Sequence, residues 1–183
     1  MSARTEGYGY LVLFILTIPI ANWMIGNFGT ICPKDSPCLI PVGLDIMAPS
    51  GVLMVGLALV LRDLVQRRLG KIWAICAIVA GALLSALVAT PALVVASCSA
   101  FLVSELADFA VYTPLQKNRL VLAVLLSGII GLIVDSIVFL QLAFGNLDYL
   151  SGQILGKTWM ILLALPIIWW LRRRDEKLGF IAA

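Results

Sequence analysis

The sequence contains no histidine. That removes imidazole as a general base, haem ligand or zinc ligand, and with it a Ser-His dyad and most catalytic metal centres. Charge is scarce as well: 13% of the 183 residues are Asp, Glu, Lys or Arg, against about 25% in ordinary soluble domains. A solvated basic face of the kind that binds nucleic acid needs soluble structure, which such a chain lacks. The net charge of +3 arises from short clusters at the ends of apolar runs. Four cysteines are present, and their spacing fits no metal site. We therefore expect no cofactor, no metal, no nucleic-acid partner and no enzymatic activity.

What the chain has is apolar length. Its residues are 62% apolar, and the mean hydropathy is +1.06. About 20 consecutive apolar residues suffice for a helix to cross the hydrocarbon core of a bilayer. Six candidate spans follow, at 8–28, 50–66, 72–88, 92–112, 120–144 and 151–171. Little is left for a soluble domain. The expected fold is all-α: a polytopic membrane bundle of six transmembrane helices, one domain over 1–183, with the lipid bilayer as its surroundings. The first run is too long and too aromatic for a signal-peptide core and is read as retained. Pro19 is expected to kink it, and Pro91 to separate the third and fourth spans.

The stretch 29–49, rich in Pro, Gly and Asp, reads as the longest loop. Ser50, just after Pro49, is a candidate helix cap. Cys32 and Cys38 flank KDSP in the loop; they bridge if it faces an oxidising compartment and stay free thiols otherwise. Cys76 and Cys98 lie in apolar stretches and read as small buried residues. Small residues recur at Gly81, Ser85 and Ala89 and at Gly152 and Gly156. Such stripes let helices pack closely, within one protomer or across a homodimer.

Basic residues give the orientation. With the N-terminus inside, the inner ends carry Arg4, then Arg67, Arg68 and Lys71, then Lys117 and Arg119, then Arg172, Arg173, Arg174 and Lys177. The outer loops carry only Lys34. By the positive-inside rule both termini are cytoplasmic and the chain sits in the cell inner (plasma) membrane. The Cys32–Cys38 loop then lies outside, which favours the bridge.

The residues that bear on function are the charges inside the spans. Asp135 lies near the middle of the fifth run, where an ionised Asp costs roughly 2.5–3.5 kcal/mol on insertion scales. Such a residue by default faces a polar pathway or site. Arg62, Asp63, Glu105, Asp108 and Lys157 also fall within spans. Arg62, Asp63 and Asp108 are near enough to one boundary to be read as partly wet. Glu105 and Asp108, three apart, share a helix face. Asp135 and Lys157 lie about 14 Å and about 9 Å from the outer ends of consecutive antiparallel helices, at 1.5 Å per residue. They are natural partners, by a direct ion pair or through a polar ligand between them. Buried ion pairs stabilise weakly, so a polar substrate site is the better account. Carboxylates accept hydrogen bonds two at a time and suit a ligand with adjacent N–H donors, such as the guanidine-like edge of a guanine base. Lys157 would donate to a carbonyl or nitrile. Trp23, Phe139 and Trp159 are available for stacking, and Asn22 and Gln153 add hydrogen-bonding groups.

These features occur in an order that resembles the VUT family, the queuosine precursor transporters. The blocks are Asn22 late in the first span, LRDLVQRRLG from Arg62 to Gly70, Gly131-x-x-x-Asp135-Ser136-x-x-Phe139, and Lys157 within GQILGKTW. They cover about 22–174. The chain is shorter than better-known members and differs in its Cys32–Cys38 loop. The resemblance implies uptake of a 7-deazaguanine base, preQ0 or preQ1, for tRNA modification. Asp135 and Lys157 are then the first substrate-site candidates, followed by Asp63 and Asn22; Glu105, Asp108 and Gln153 complete the candidate set. Asp135, Glu105 or Asp108 would carry a coupling proton, since burial disfavours a carboxylate's charged form. Three other classes compete with this reading. One is the substrate-binding subunit of an energy-coupling vitamin importer, also of this size and six-spanning. Another is an intramembrane aspartyl enzyme using Asp108 and Asp135. The last is a structural assembly subunit.

Overall fold

A computed structural model describes residues 3–34, 37–89 and 91–179. Six long helices follow one another: α1 (Ala3–Asn27), α2 (Val52–Leu69), α3 (Lys71–Val88), α4 (Val94–Leu115), α5 (Leu120–Phe144) and α6 (Leu150–Leu178). A hairpin, β1 (Leu39–Gly43) and β2 (Ile46–Pro49), stands between α1 and α2. The all-α membrane bundle expected from composition is present.

Five of the six helices are long and apolar enough to cross a membrane; α2 is not. Its 18 residues include Arg62, Asp63, Arg67 and Arg68. Its placement accounts for the difference. It packs against α1, α3, α5 and α6, and all four charged side chains are buried. A helix enclosed by other helices meets protein rather than lipid, so its polar groups need partners and not an apolar face.

The turns have local causes. Gly70 joins α2 to α3 at φ 95, a conformation that favours glycine, and its N–H bonds back to the Gln66 carbonyl. A single 3₁₀ turn, Pro91–Leu93, opens the way into α4. At its other end α6 runs seven residues beyond the predicted boundary at Leu171. Stacking of Arg173 on Trp169, 3.7 Å from the ring centre, and the Arg172–Glu176 pair at 2.8 Å hold this extension helical.

The loop at 29–49 corrects the sequence reading most. It folds into an antiparallel hairpin with Leu39 opposite Pro49 and Pro41 opposite Met47. Ile40, Val42 and Ala48 bury against Val52 and Leu155, closing one end of the bundle. Trp159 Nε1 donates to the Val42 carbonyl at 3.0 Å. Cys32 and Cys38 form a disulfide; Asp35 and Ser36 between them lie outside the described residues. Ser50 does not cap α2. Its hydroxyl donates instead to the Met24 carbonyl at 2.7 Å, tying α1 to the hairpin. Cys76 is not a core residue, being exposed on α3, and Cys98 is partly buried.

The small-residue stripes pack within the protomer. Gly81 faces Phe101 and Ile18, Gly156 faces Val52 and Val42, and Gly152 lies against the Met47 carbonyl. A methyl group on Gly152 would overlap that carbonyl oxygen, which is backbone and cannot step aside. Gly152→Ala is therefore expected to lower stability by about 1–3 kcal/mol, read as a fall in the unfolding midpoint of the detergent-solubilised protein. An unchanged midpoint would mean that the hairpin does not rest on α6.

Candidate functional site

Near the hairpin end all six helices contribute to a cavity of about 710 Å³, counting the part that opens to the surface. Most of its wall is apolar, from α1, α2 and α4. Its polar groups are Asn22, Ser104, Glu105, Asp135 and Gln153, with the hydroxyls of Thr17, Ser85 and Ser97. A mostly apolar pocket with a few convergent polar groups is the usual form of a small-molecule site.

Four of the seven substrate-site candidates, Asn22, Glu105, Asp135 and Gln153, thus line one space. Lys157 stands directly behind it and is 0% exposed. Its ammonium donates to Asp135 Oδ2 at 2.6 Å, to Ser136 Oγ at 2.8 Å and to Gln153 Oε1. These three bonds use its three donors, so Lys157 positions Asp135 and Gln153 and has no proton left for a ligand. Gln153 lines the cavity, with its Oε1 held by Lys157. Asp135 Oδ1 accepts from the Ser104 hydroxyl at 3.4 Å, and both residues line the cavity. Asn22 Nδ2 donates to the Ile18 carbonyl of its own helix at 3.0 Å.

The other two candidates, Asp63 and Asp108, do not reach the cavity. They belong to a second cluster deeper in the bundle, around Arg62. Its guanidinium pairs with Asp63 Oδ1 at 2.8 Å, with Glu105 Oε2 at 3.0 Å and with Asp108 Oδ1. Ser127 Oγ donates to Asp63 Oδ2 at 3.1 Å. Arg62, Asp63 and Asp108 are 0–1% exposed, so the expectation that they are partly wet is corrected: α2 lies inside the bundle, and its boundary residues meet neighbouring helices instead of water. Glu105 belongs to both groups, with Oε2 on Arg62 and its side chain on the cavity wall.

The aromatic candidates are corrected as well. Trp23 and Trp159 are 59% and 48% exposed and point away from the cavity. Phe139 lines it, together with Phe101, which the sequence reading passed over. A phenylalanine one helical turn from Glu105 on a charged span was the available signal.

A third ionic group, also unforeseen, closes the end opposite the hairpin. Asp175 on α6 accepts from Arg67 at 2.7 Å and from Arg68 at 2.9 Å. Glu6 on α1 pairs with Arg68 at 3.1 Å and with Arg174 at 2.6 Å. Asp175 is 2% exposed, and removing one partner of a buried pair costs about 3–5 kcal/mol. Asp175→Ala is expected to lower the unfolding midpoint more than Glu176→Ala, whose pair with Arg172 is exposed. Equal effects would mean that this end is open to water.

Apolar helices around a solute-sized cavity, with buried ion pairs behind its wall, define a polytopic membrane protein with an internal polar site. Residues 82–171 match the family model described as "Putative vitamin uptake transporter", a stretch that runs from the last seven residues of α3 through most of α6 and includes Glu105, Asp135, Gln153 and Lys157. Over these residues the chain is similar to that transporter family. No curated protein and no solved structure matches it.

Proposed function

We propose that the chain imports a 7-deazaguanine base, preQ0 or preQ1, as a queuosine precursor for tRNA modification. The observation that carries this reading is the pairing of Asp135 and Gln153 on the cavity wall, both held by Lys157. An aminopyrimidinone edge presents adjacent N–H donors and a carbonyl. Asp135 Oδ1 accepts from the former and Gln153 Nε2 donates to the latter, while Phe101 and Phe139 supply apolar faces for a planar ring. The topology that goes with this function has six spans, with α2 crossing inside the bundle. The basic ends, with Arg67, Arg68 and Arg174, lie in the cytoplasm, and the hairpin with its disulfide lies outside the inner membrane.

The family description names vitamin uptake, which favours a vitamin-like solute as the alternative; the chain would then be the substrate-binding subunit of an energy-coupling importer whose ATPase is a separate chain. The test is tRNA queuosine content in a bacterium lacking both precursor synthesis and its own transporter. The cells would express this chain with limiting preQ0 or preQ1. Recovery of queuosine supports import by the chain alone. No recovery from well-inserted protein, either alone or with an energy-coupling module, contradicts the substrate.

A further inference from the structure

The cavity wall carries polar groups in two places, and the pairing of Asp135 with Gln153 accounts for one of them. The other belongs to α1, α3 and α4. These helices meet where a Cβ on Gly81 would stand 2.6 Å from the Phe101 ring and 3.0 Å from Ile18. One helical turn from each of these residues toward the hairpin come Asn22 on α1, Ser85 on α3 and Ser97 on α4. Residues four apart share a helix face, and all three line the cavity.

Serine and threonine within a helix commonly bond to a carbonyl three or four residues back. Thr17, Ser104, Ser136 and Thr158 do so here. Ser85 and Ser97 do not: neither hydroxyl bonds to any described residue, although Ser85 is only 4% exposed. Asn22 spends one amide proton on the Ile18 carbonyl and keeps the rest of its hydrogen-bonding capacity. Polar groups withdrawn from water are costly until they find a partner, and beside a solute-sized cavity a solute can be that partner.

We infer that Asn22, Ser85 and Ser97 form a second polar subsite of the cavity, which takes an uncharged hydrogen-bonding substituent at the end of the solute remote from Asp135. The inference rests on the 7-deazaguanine reading and gives that reading a choice: the nitrile of preQ0 over the aminomethyl group of preQ1.

The spacing along α4 fits a base held at both ends. Ser104, whose hydroxyl meets Asp135, is seven residues from Ser97 on the same helix face, or about 10 Å along the axis. Phe101 lies between them on the cavity wall. A two-ring base over Phe101, with its N–H edge on Asp135, directs its five-membered ring toward Ser97. That ring carries the substituent. The three donors of Lys157 are spent within the protein, so a nitrile has to be met elsewhere, and the two serine hydroxyls can donate to its nitrogen. An ammonium fares differently. The acidic residues of the cavity wall are Glu105 and Asp135. Glu105 is two turns, about 12 Å, from Ser97 and is paired with Arg62. An aminomethyl cation in the subsite would lose its hydration with no counter-ion beside it.

The test is calorimetric titration of the full chain in nanodiscs with preQ0, preQ1 and 7-deazaguanine, which lacks the substituent. The wild type is expected to bind preQ0 about tenfold or more tighter than preQ1, and about 2–10-fold tighter than 7-deazaguanine. Ser85→Ala and Ser97→Ala remove one oxygen each beside an open space and are expected to fold. Each should weaken preQ0 by about 2–10-fold without weakening 7-deazaguanine, which does not reach the subsite. A merely structural serine would weaken both bases alike. The wild-type preference needs no variant: preQ1 bound as tightly as preQ0 overturns the subsite and leaves the 7-deazaguanine reading standing. Alanine variants that weaken all three bases equally, or none, overturn it in the same way. A wild type that binds none of the three contradicts the 7-deazaguanine reading itself, and the assigned substituent falls with it.

Discussion

Asp135→Asn is expected to abolish uptake, and the double variant Asp135→Asn/Lys157→Met to regain stability without regaining transport. The single change leaves the Lys157 ammonium, at 0% exposure, facing Ser136 and Gln153 with its counter-ion gone. Breaking a buried pair costs about 3–5 kcal/mol, whereas replacing both partners with apolar or neutral groups is often neutral or stabilising. The double variant therefore separates folding from function. It retains the cavity but loses the carboxylate that receives the ligand's N–H donors. A hydrogen bond to a charged group is worth about 1.5–3 kcal/mol, which corresponds to a loss of roughly ten- to a hundred-fold in affinity. Unfolding midpoints and uptake rates of the wild type, the single variant and the double variant decide the matter. Transport recovered along with stability in the double variant would make Asp135–Lys157 a structural strut.

The largest loss of stability is expected from Arg62→Met. Arg62 is fully buried and is the cation shared by three carboxylates on α2 and α4. It also lies 5.7 Å from the Tyr112 ring centre. Without it, Asp63, Glu105 and Asp108 face one another with no positive charge between them. At 3–5 kcal/mol for an abandoned buried partner, and about 2–4 °C per kcal/mol for a chain of this size, the unfolding midpoint should fall by about 10 °C. Arg62→Lys should recover little of this. An ammonium is a point charge and cannot present a planar fork to three carboxylates at once. Thermal unfolding in detergent, followed by monodispersity, measures both variants. A midpoint within a few degrees of wild type for Arg62→Met would show that the cluster does not hold α2 to α4.

Much of this architecture is legible in the sequence because the bilayer simplifies the physics. Apolar runs located the helices, with α3 and α5 within one residue of their predicted ends, while α1 starts five residues earlier and α6 ends seven residues later than predicted. The three-residue spacing of Glu105 and Asp108 placed both on one face, and both meet Arg62. Asp135 and Lys157, at similar depth on consecutive helices, do pair. The parts that could not be read depend on tertiary enclosure. Arg62 and Asp63 sit near the end of a run that looks like a membrane boundary, and nothing local reveals that α2 runs through the middle of the bundle. The hairpin was hidden by Pro41 and Pro49, since proline within a run argues against a strand; both are tolerated because this two-stranded sheet is all edge. Lys157 looked like a ligand-binding group because its three acceptors come from two helices. Only their convergence shows its donors to be spent. The division of the acidic residues into a cavity set and an Arg62 set likewise follows from which face of α4 meets α2, a relation that spacing does not encode.

The most direct test of the central claim is calorimetric titration of the purified, nanodisc-embedded protein with preQ0 and preQ1. The account predicts saturable binding at one site per chain, lost in Asp135→Asn/Lys157→Met and weakened in Gln153→Leu. A folded wild-type protein that binds neither base, or a double variant that binds as well as the wild type, would contradict it.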